Sequence, residues 1–396
     1  MRSPLPSGIY LLSLGIFIMI SCELQVLGFM PALAADLGVS IAEVGYLVSA
    51  FAASMAIGGP ILMLALSRFP PRRILACLYA LFILGELLGA LAHSYTQLML
   101  ARAVTGMVSG AFFGVSIGLC SRMVTPKDTL RAVAMVLAGI MLGTIIGLPL
   151  AKVIAEYWGW RESFYVVVAL AVFSAALTLK AVPSLPAEAL HPLKQELKGV
   201  ADVRLWWVFA TSFCVIGAVY APFSFIVPIL TDLAALPEEA VTWLLFAYGV
   251  CMLVGNYVVA GLAVKHAKAA IMGGLAIMIT VFVVFALFSD IGWVAVICLV
   301  LLGFCGVSLN PALVSRLMSL PQGQRAFINT LHASVINAGI MFGSFAAGLT
   351  LDSGFSLAAT IWLGAAIAFV GLSVLVMSPQ LCESSAQTAP QLPETE

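Results

Sequence analysis

The stretch GIYLLSLGIFIMISCELQVLGFMPA, residues 8–32, carries a single charged side chain, Glu23. At a helical rise of about 1.5 Å per residue it reaches roughly 37 Å, more than the ~30 Å hydrocarbon core of a bilayer. It has no small-residue cleavage site and is followed by many similar runs, so it reads as a retained first span and not as a removed leader. Comparable runs follow at 41–66, 73–93, 97–121, 130–154 and 162–182. After a polar interval they resume at 204–231, 238–264, 269–288, 291–317, 326–350 and 356–377. Their spacing predicts an all-α polytopic membrane protein with twelve transmembrane helices.

Composition points the same way. Hydrophobic residues make up 62% of the chain and charged residues 9%, against about 45–50% and about 25% in soluble domains. So little charge leaves most of the surface for lipid. Eighteen basic and eighteen acidic residues cancel, which gives no bulk attraction to nucleic acid. The eight cysteines form no CxxC pair and no Cys/His cluster, and Cys22, Cys77, Cys214 and Cys251 read as small apolar fillers. No metal or cofactor is expected. No phosphate-binding G-x-x-x-x-G-K-[ST] loop or nucleophile–base motif is present, which argues against an ATPase or another enzyme.

The loop charges set an expected topology. Arg68, Arg72 and Arg73 share one connector, Arg122, Lys127 and Arg131 another, then Lys265 with Lys268 and Arg316 with Arg325. These are alternate connectors, and the intervening ones are acidic or neutral, so both termini are expected in the cytoplasm of a bacterial inner membrane. Residues 1–182 form an N-terminal six-helix half and 204–378 a C-terminal one. The proline-rich, charged segment 183–203 reads as a cytoplasmic linker, and 379–396 as a disordered tail. Gly139, Gly143 and Gly147 in the fifth run are echoed by Gly339, Gly343 and Gly348 in the eleventh. That spacing lets helix backbones approach, and its recurrence suggests two related halves.

Three motifs together resemble the major facilitator superfamily, in its twelve-helix drug:proton antiporter branch. The fourth run, LMLARAVTGMVSGAFFG, is similar to that family's R-x-x-x-G-x-x-x-G element through Arg102, Gly106 and Gly110. The fifth resembles the antiporter motif through Gly139, Gly143, Gly147 and Pro149. The loop WGWRESF matches W-G-W-R-x-x-F through Trp158, Gly159, Trp160, Arg161 and Phe164. Sugar-efflux and chloramphenicol-efflux permeases are the nearest in character. The resemblance implies two pseudo-symmetric halves, a monomer and export driven by inward proton flow. One motif departs: where the family reads G-x-x-x-D-R-x-G-R-R, this chain reads MLALSRFPPRR. Ser67 replaces the gate acid, and Arg68, Arg72 and Arg73 keep the charge.

Charges within a membrane are costly and usually face a cavity or a partner. Glu23 and Arg102 lie at similar depth and are expected to meet, with Glu23 carrying the coupling proton and Arg102 tuning it; the alternative is a static ion pair. Glu86 reads as a structural or snorkelling residue near an aqueous boundary. Arg161 and Glu162 read as interface anchors. Phe112, Phe113, Tyr220, Phe225, Tyr248, Asn310, His332 and Asn337 are the candidate lining of an amphiphilic cavity for a small organic substrate. The expected function is secondary active transport by alternating access, with protons, substrate and lipid as partners. The alternatives are import or facilitated passage of a metabolite (sugar, nucleoside or siderophore), or a non-transporting receptor or enzyme.

Overall fold

The computed structural model describes residues 4–187, 202–320 and 325–379, without the side chains of 325–327, and no strand occurs among them. Most of the linker and nearly all of the tail lie outside these residues. The N-terminal helices are α1 (Ser7–Gly28), α2 (Ile41–Leu66), α3 (Pro71–Ala90), α4 (Tyr95–Arg122), α5 (Thr129–Trp158) and α6 (Trp160–Ala181). The C-terminal half opens with α7 (Val203–Phe223). A continuous 50-residue helical stretch, Glu238–Leu287, follows. At ~1.5 Å per residue it would be about 75 Å long, more than twice a bilayer core. Its backbone breaks at His266 (φ −139°, ψ 53°), beside exposed Lys265. It is therefore two spans, α8 (238–265) and α9 (267–287). With α10 (Gly292–Met318), α11 (Arg325–Asp352) and α12 (Leu357–Met377), the twelve expected spans are present.

Local chemistry explains where these helices start and bend. A reciprocal Ser40–Glu43 capping box opens α2, with Ser40 N–H donating to Glu43 Oε2 at 2.8 Å and Glu43 N–H to Ser40 Oγ at 3.1 Å. Two helices widen into a π turn at mid-length, α2 at Ser54–Gly58 and α5 at Gly143–Gly147. In each case a proline follows two residues later, Pro60 and Pro149. A proline cannot donate to the carbonyl four residues back and its ring crowds it, so the helix loosens there.

The glycine repeat holds each half together. A side-chain carbon added at Gly139 would sit 2.2 Å from the Ser13 carbonyl oxygen of α1; at Gly143 and Gly147 it would meet Ile20 and Ser21. The C-terminal half repeats the contact, with Gly339 of α11 against the Phe213 carbonyl of α7 and Gly343 against that of Gly217. The residue offset is the same in both pairs. Gly348 departs from this pattern and faces Tyr46 of α2 instead.

Arg161 does more than anchor an interface. It donates to Asp36 Oδ2 at 2.7 Å and to the Ala92 carbonyl at 3.0 Å, and stacks on Trp160, whose indole N–H also reaches Asp36 at 3.2 Å. One side chain thus ties together the α1–α2 connector, the α3–α4 connector and the start of α6.

The halves are drawn together at the face away from the termini. There Tyr46 of α2 donates to Asp352 of α11 at 2.5 Å, and Ser344 of α11 donates to the Gly45 carbonyl at 3.0 Å. Lys152 of α5 bridges to Glu238 of α8 at 2.5 Å and pairs with Glu156 on its own helix. Large apolar residues such as Leu100, Leu130, Phe173, Tyr257 and Phe369 are exposed around the perimeter, as a lipid-facing surface requires.

Candidate functional site

The site grows from one face of α1. Cys22 and Gln25 are three residues apart and so share a face, while Glu23 points about a quarter-turn away. Gly106 and Gly110 bring α4 onto the α2 backbone at Phe51 and Met55. That contact seats Arg102, one turn earlier on α4, with its guanidinium 4.2 Å from the centre of the Phe51 ring. Arg102 has no solvent exposure.

Arg102 and Glu23 do meet, but through the main chain. Nη1 donates to the Cys22 carbonyl at 2.7 Å and Nη2 to the Glu23 carbonyl at 2.9 Å. Arg102 makes no ion pair within 4 Å to a described residue. The expectation of a direct Glu23–Arg102 side-chain pair is therefore corrected. The Glu23 carboxyl makes no hydrogen bond to a described residue and is 7% exposed. It lies close enough to Tyr220 of α7 for the two to interact electrostatically across the seam between the halves.

Glu86 is not at an aqueous boundary. It is fully buried, and both of its oxygens accept: Oε1 from the Cys22 thiol at 3.0 Å, Oε2 from Gln25 Nε2 at 3.1 Å. Gln25 in turn accepts from Ser163 of α6 at 3.2 Å. Cys22 is thus a polar link and not an apolar filler, since its sulfur also lies 3.5 Å from Arg102 Nη1. Neither Gln25 nor Ser163 was singled out in the sequence. The polar pair at i, i+3 around Glu23 was the available signal.

The expected cavity lining is largely taken up by packing. Phe112 is buried among α1 and α3, its ring 5.1 Å from Tyr79, and Phe113 packs half-buried against the same core. Tyr248 stacks on Phe223 at 4.8 Å inside the C-terminal half. Phe225 plugs the seam, where a carbon added at Gly45 of α2 would come within 2.3 Å of its ring. His332 is satisfied by Ser212 at 2.8 Å and stacks on Phe209. Asn337 donates to Ala333 of its own helix at 2.9 Å. Asn310 begins the last segment of α10 with a buried Oδ1 that has no partner among the described residues. Of the eight, Tyr220 is the one placed beside Glu23.

In the connector between α2 and α3, the Ser67 hydroxyl turns back to the Leu64 carbonyl at 2.6 Å. Arg68, Arg72 and Arg73 are all exposed. None of the three forms an ion pair with a described residue.

A family model for the Major Facilitator Superfamily matches residues 9–321. The chain belongs to this superfamily. It is 28% identical over 367 residues to the inner membrane transport protein YdhP of Escherichia coli K12, covering 93% of this chain and 94% of that one. It is 27% identical to a chloramphenicol resistance protein of Streptomyces lividans, covering 93% and 95%. A probable sugar efflux transporter of Helicobacter pylori 26695 shares 25% identity over 85% and 87%. Among solved structures, a bacterial homologue of the human lysosomal transporter Spinster, inward-facing and unoccupied, superposes with a TM-score of 0.74 at 14% identity, covering 96% of both chains. That last likeness concerns the fold. Superfamily membership makes the chain a multi-pass membrane transporter.

Proposed function

We propose that this transporter exports a small amphiphilic organic compound from the bacterial cytoplasm in exchange for protons, alternating access between its two halves with both termini inside. The observation that carries the reading is Glu23: a carboxyl in the seam between the halves, almost sealed from water, with no hydrogen-bond partner among the described residues and the Arg102 guanidinium fixed on its own backbone. An acid so placed changes protonation as the seam opens and closes around it. Relatives named for chloramphenicol resistance and sugar efflux favour export. The α1–α5 glycine contact is the part of the antiporter motif that favours exchange.

Accumulation in everted membrane vesicles tests it, with a panel drawn first from compounds to which cells carrying the gene become resistant. Uptake is expected under an inward-acid gradient, to collapse with a protonophore, and to fall at least tenfold in Glu23→Gln. Uptake unaffected by both would leave a facilitator.

A further inference from the structure

Around Arg102 the buried charges of the N-terminal half form no ion pair within 4 Å among the described residues, unlike Lys152 nearer the other face. Arg102 supplies one cation at 0% exposure, whereas Glu86 (0%) and Glu23 (7%) supply two carboxyls. With both acids ionised, the assembly would hold a net negative charge in an apolar interior, where uncompensated charge is strongly disfavoured. One carboxyl therefore carries a proton, and hydrogen bonding says which. Glu86 has a donor on each oxygen, Cys22 Sγ–H on Oε1 and Gln25 N–H on Oε2, as a carboxylate requires. The same sulfur is 3.5 Å from Arg102 Nη1, and Arg102 Nε is buried with no partner among the described residues. Glu23 has only its backbone oxygen held.

We infer that Glu86 is the fixed counter-ion of Arg102, joined to it through the Cys22 thiol, and that this pairing leaves Glu23 as the protonated carboxyl in the conformation seen here. Glu86 is a positioning residue: it occupies the cation so that Glu23 can exchange its proton. The titratable and charged groups facing Glu86 from the helices packed against it are Cys22 of α1 and Arg102 of α4; α6 contributes Ser163, through Gln25. The assignment deepens the proton-coupling reading and rests on it for the role of Glu23.

Infrared spectroscopy of the purified full-length protein in nanodiscs tests the assignment without any substrate. At neutral pH the wild type is expected to show the C=O stretch of a protonated buried carboxyl, and Glu23→Gln to lose it. In Glu86→Gln, Arg102 is left to Glu23, which ionises. The band is then absent at neutral pH and returns on acidification, while Glu86→Asp keeps the wild-type band. A band that survives in Glu23→Gln, never returns in Glu86→Gln, or is unchanged in Glu86→Gln would overturn the assignment, as would no band in the wild type. Thermal unfolding confirms that each variant is folded. Proton-independent flux with the expected band pattern would sink the coupling reading and leave the charge pairing standing.

Discussion

At the residue scale, Arg102 and Arg161 use the same chemistry in different surroundings. Both spread a planar guanidinium over an aromatic ring and bond to main-chain carbonyls. Hydrogen bonds from a charged donor are worth about 1.5–3 kcal/mol each when buried, so Arg102 contributes more than its half-exposed counterpart. Arg161 sits beside water, and its ion pair with Asp36 is screened, worth at most about 1 kcal/mol. The Arg161 hydrogen bond holds the Asp36 carboxyl below its ordinary value of about 3.9. A carboxyl depressed in the folded state contributes stability that is fully present above its unfolded value and lost as the pH falls through the folded one. Asp36→Asn is therefore expected to unfold slightly earlier than wild type near neutrality, with the gap closing below about pH 4. A thermal unfolding series in detergent across that range checks it, and a gap that widens in acid would refute it.

At the scale of elements, the two glycine contacts let the halves be compared. A carbon added at Gly139 would lie 2.2 Å from a carbonyl oxygen of α1, against 2.8 Å at Gly339 and α7. Neither neighbour can swing aside, because both are helical backbone, so the helices themselves must separate. Overpacking of this kind costs about 1–3 kcal/mol. Gly139→Ala is expected at the upper end of that range and Gly339→Ala nearer the lower. Melting of the two variants in the same detergent would show the order, and a more stable Gly139→Ala would contradict the close approach.

Across the whole molecule, polar contacts join the two halves at one face. Tyr46–Asp352 joins α2 to α11, and Lys152–Glu238 joins α5 to α8. Glu238 is 66% exposed, so its bond alone is weak. Two weak links in parallel still bias a two-state equilibrium whose gap is a few kcal/mol. The variant Tyr46→Phe/Glu238→Gln removes one partner from each and keeps the shapes. It is expected to raise hydrogen exchange severalfold in the peptides around residues 41–50 and 345–352. Exchange identical to wild type would show that apolar packing, including Phe225 against Gly45, holds this face by itself.

The sequence by itself determined the number of spans, the two halves and the close helix contacts. Those follow from run length, hydrophobicity and glycine spacing, which are local properties that a bilayer reads one segment at a time. It also placed Glu23 and Arg102 at one depth, because depth along a helix is a count of residues. Azimuth and partnership were left to the tertiary structure. Which face of α1 met α3 decided that Glu86 would be sealed and doubly hydrogen-bonded and that Cys22 would be polar. The inward turn of α4 made Phe112 a core residue, and the closing of the seam made Phe225 a plug. The buried acid of residues 8–32 marked the site from the start; the partners of Glu86 and Arg102 around it were decided by contacts 60 to 80 residues apart along the chain.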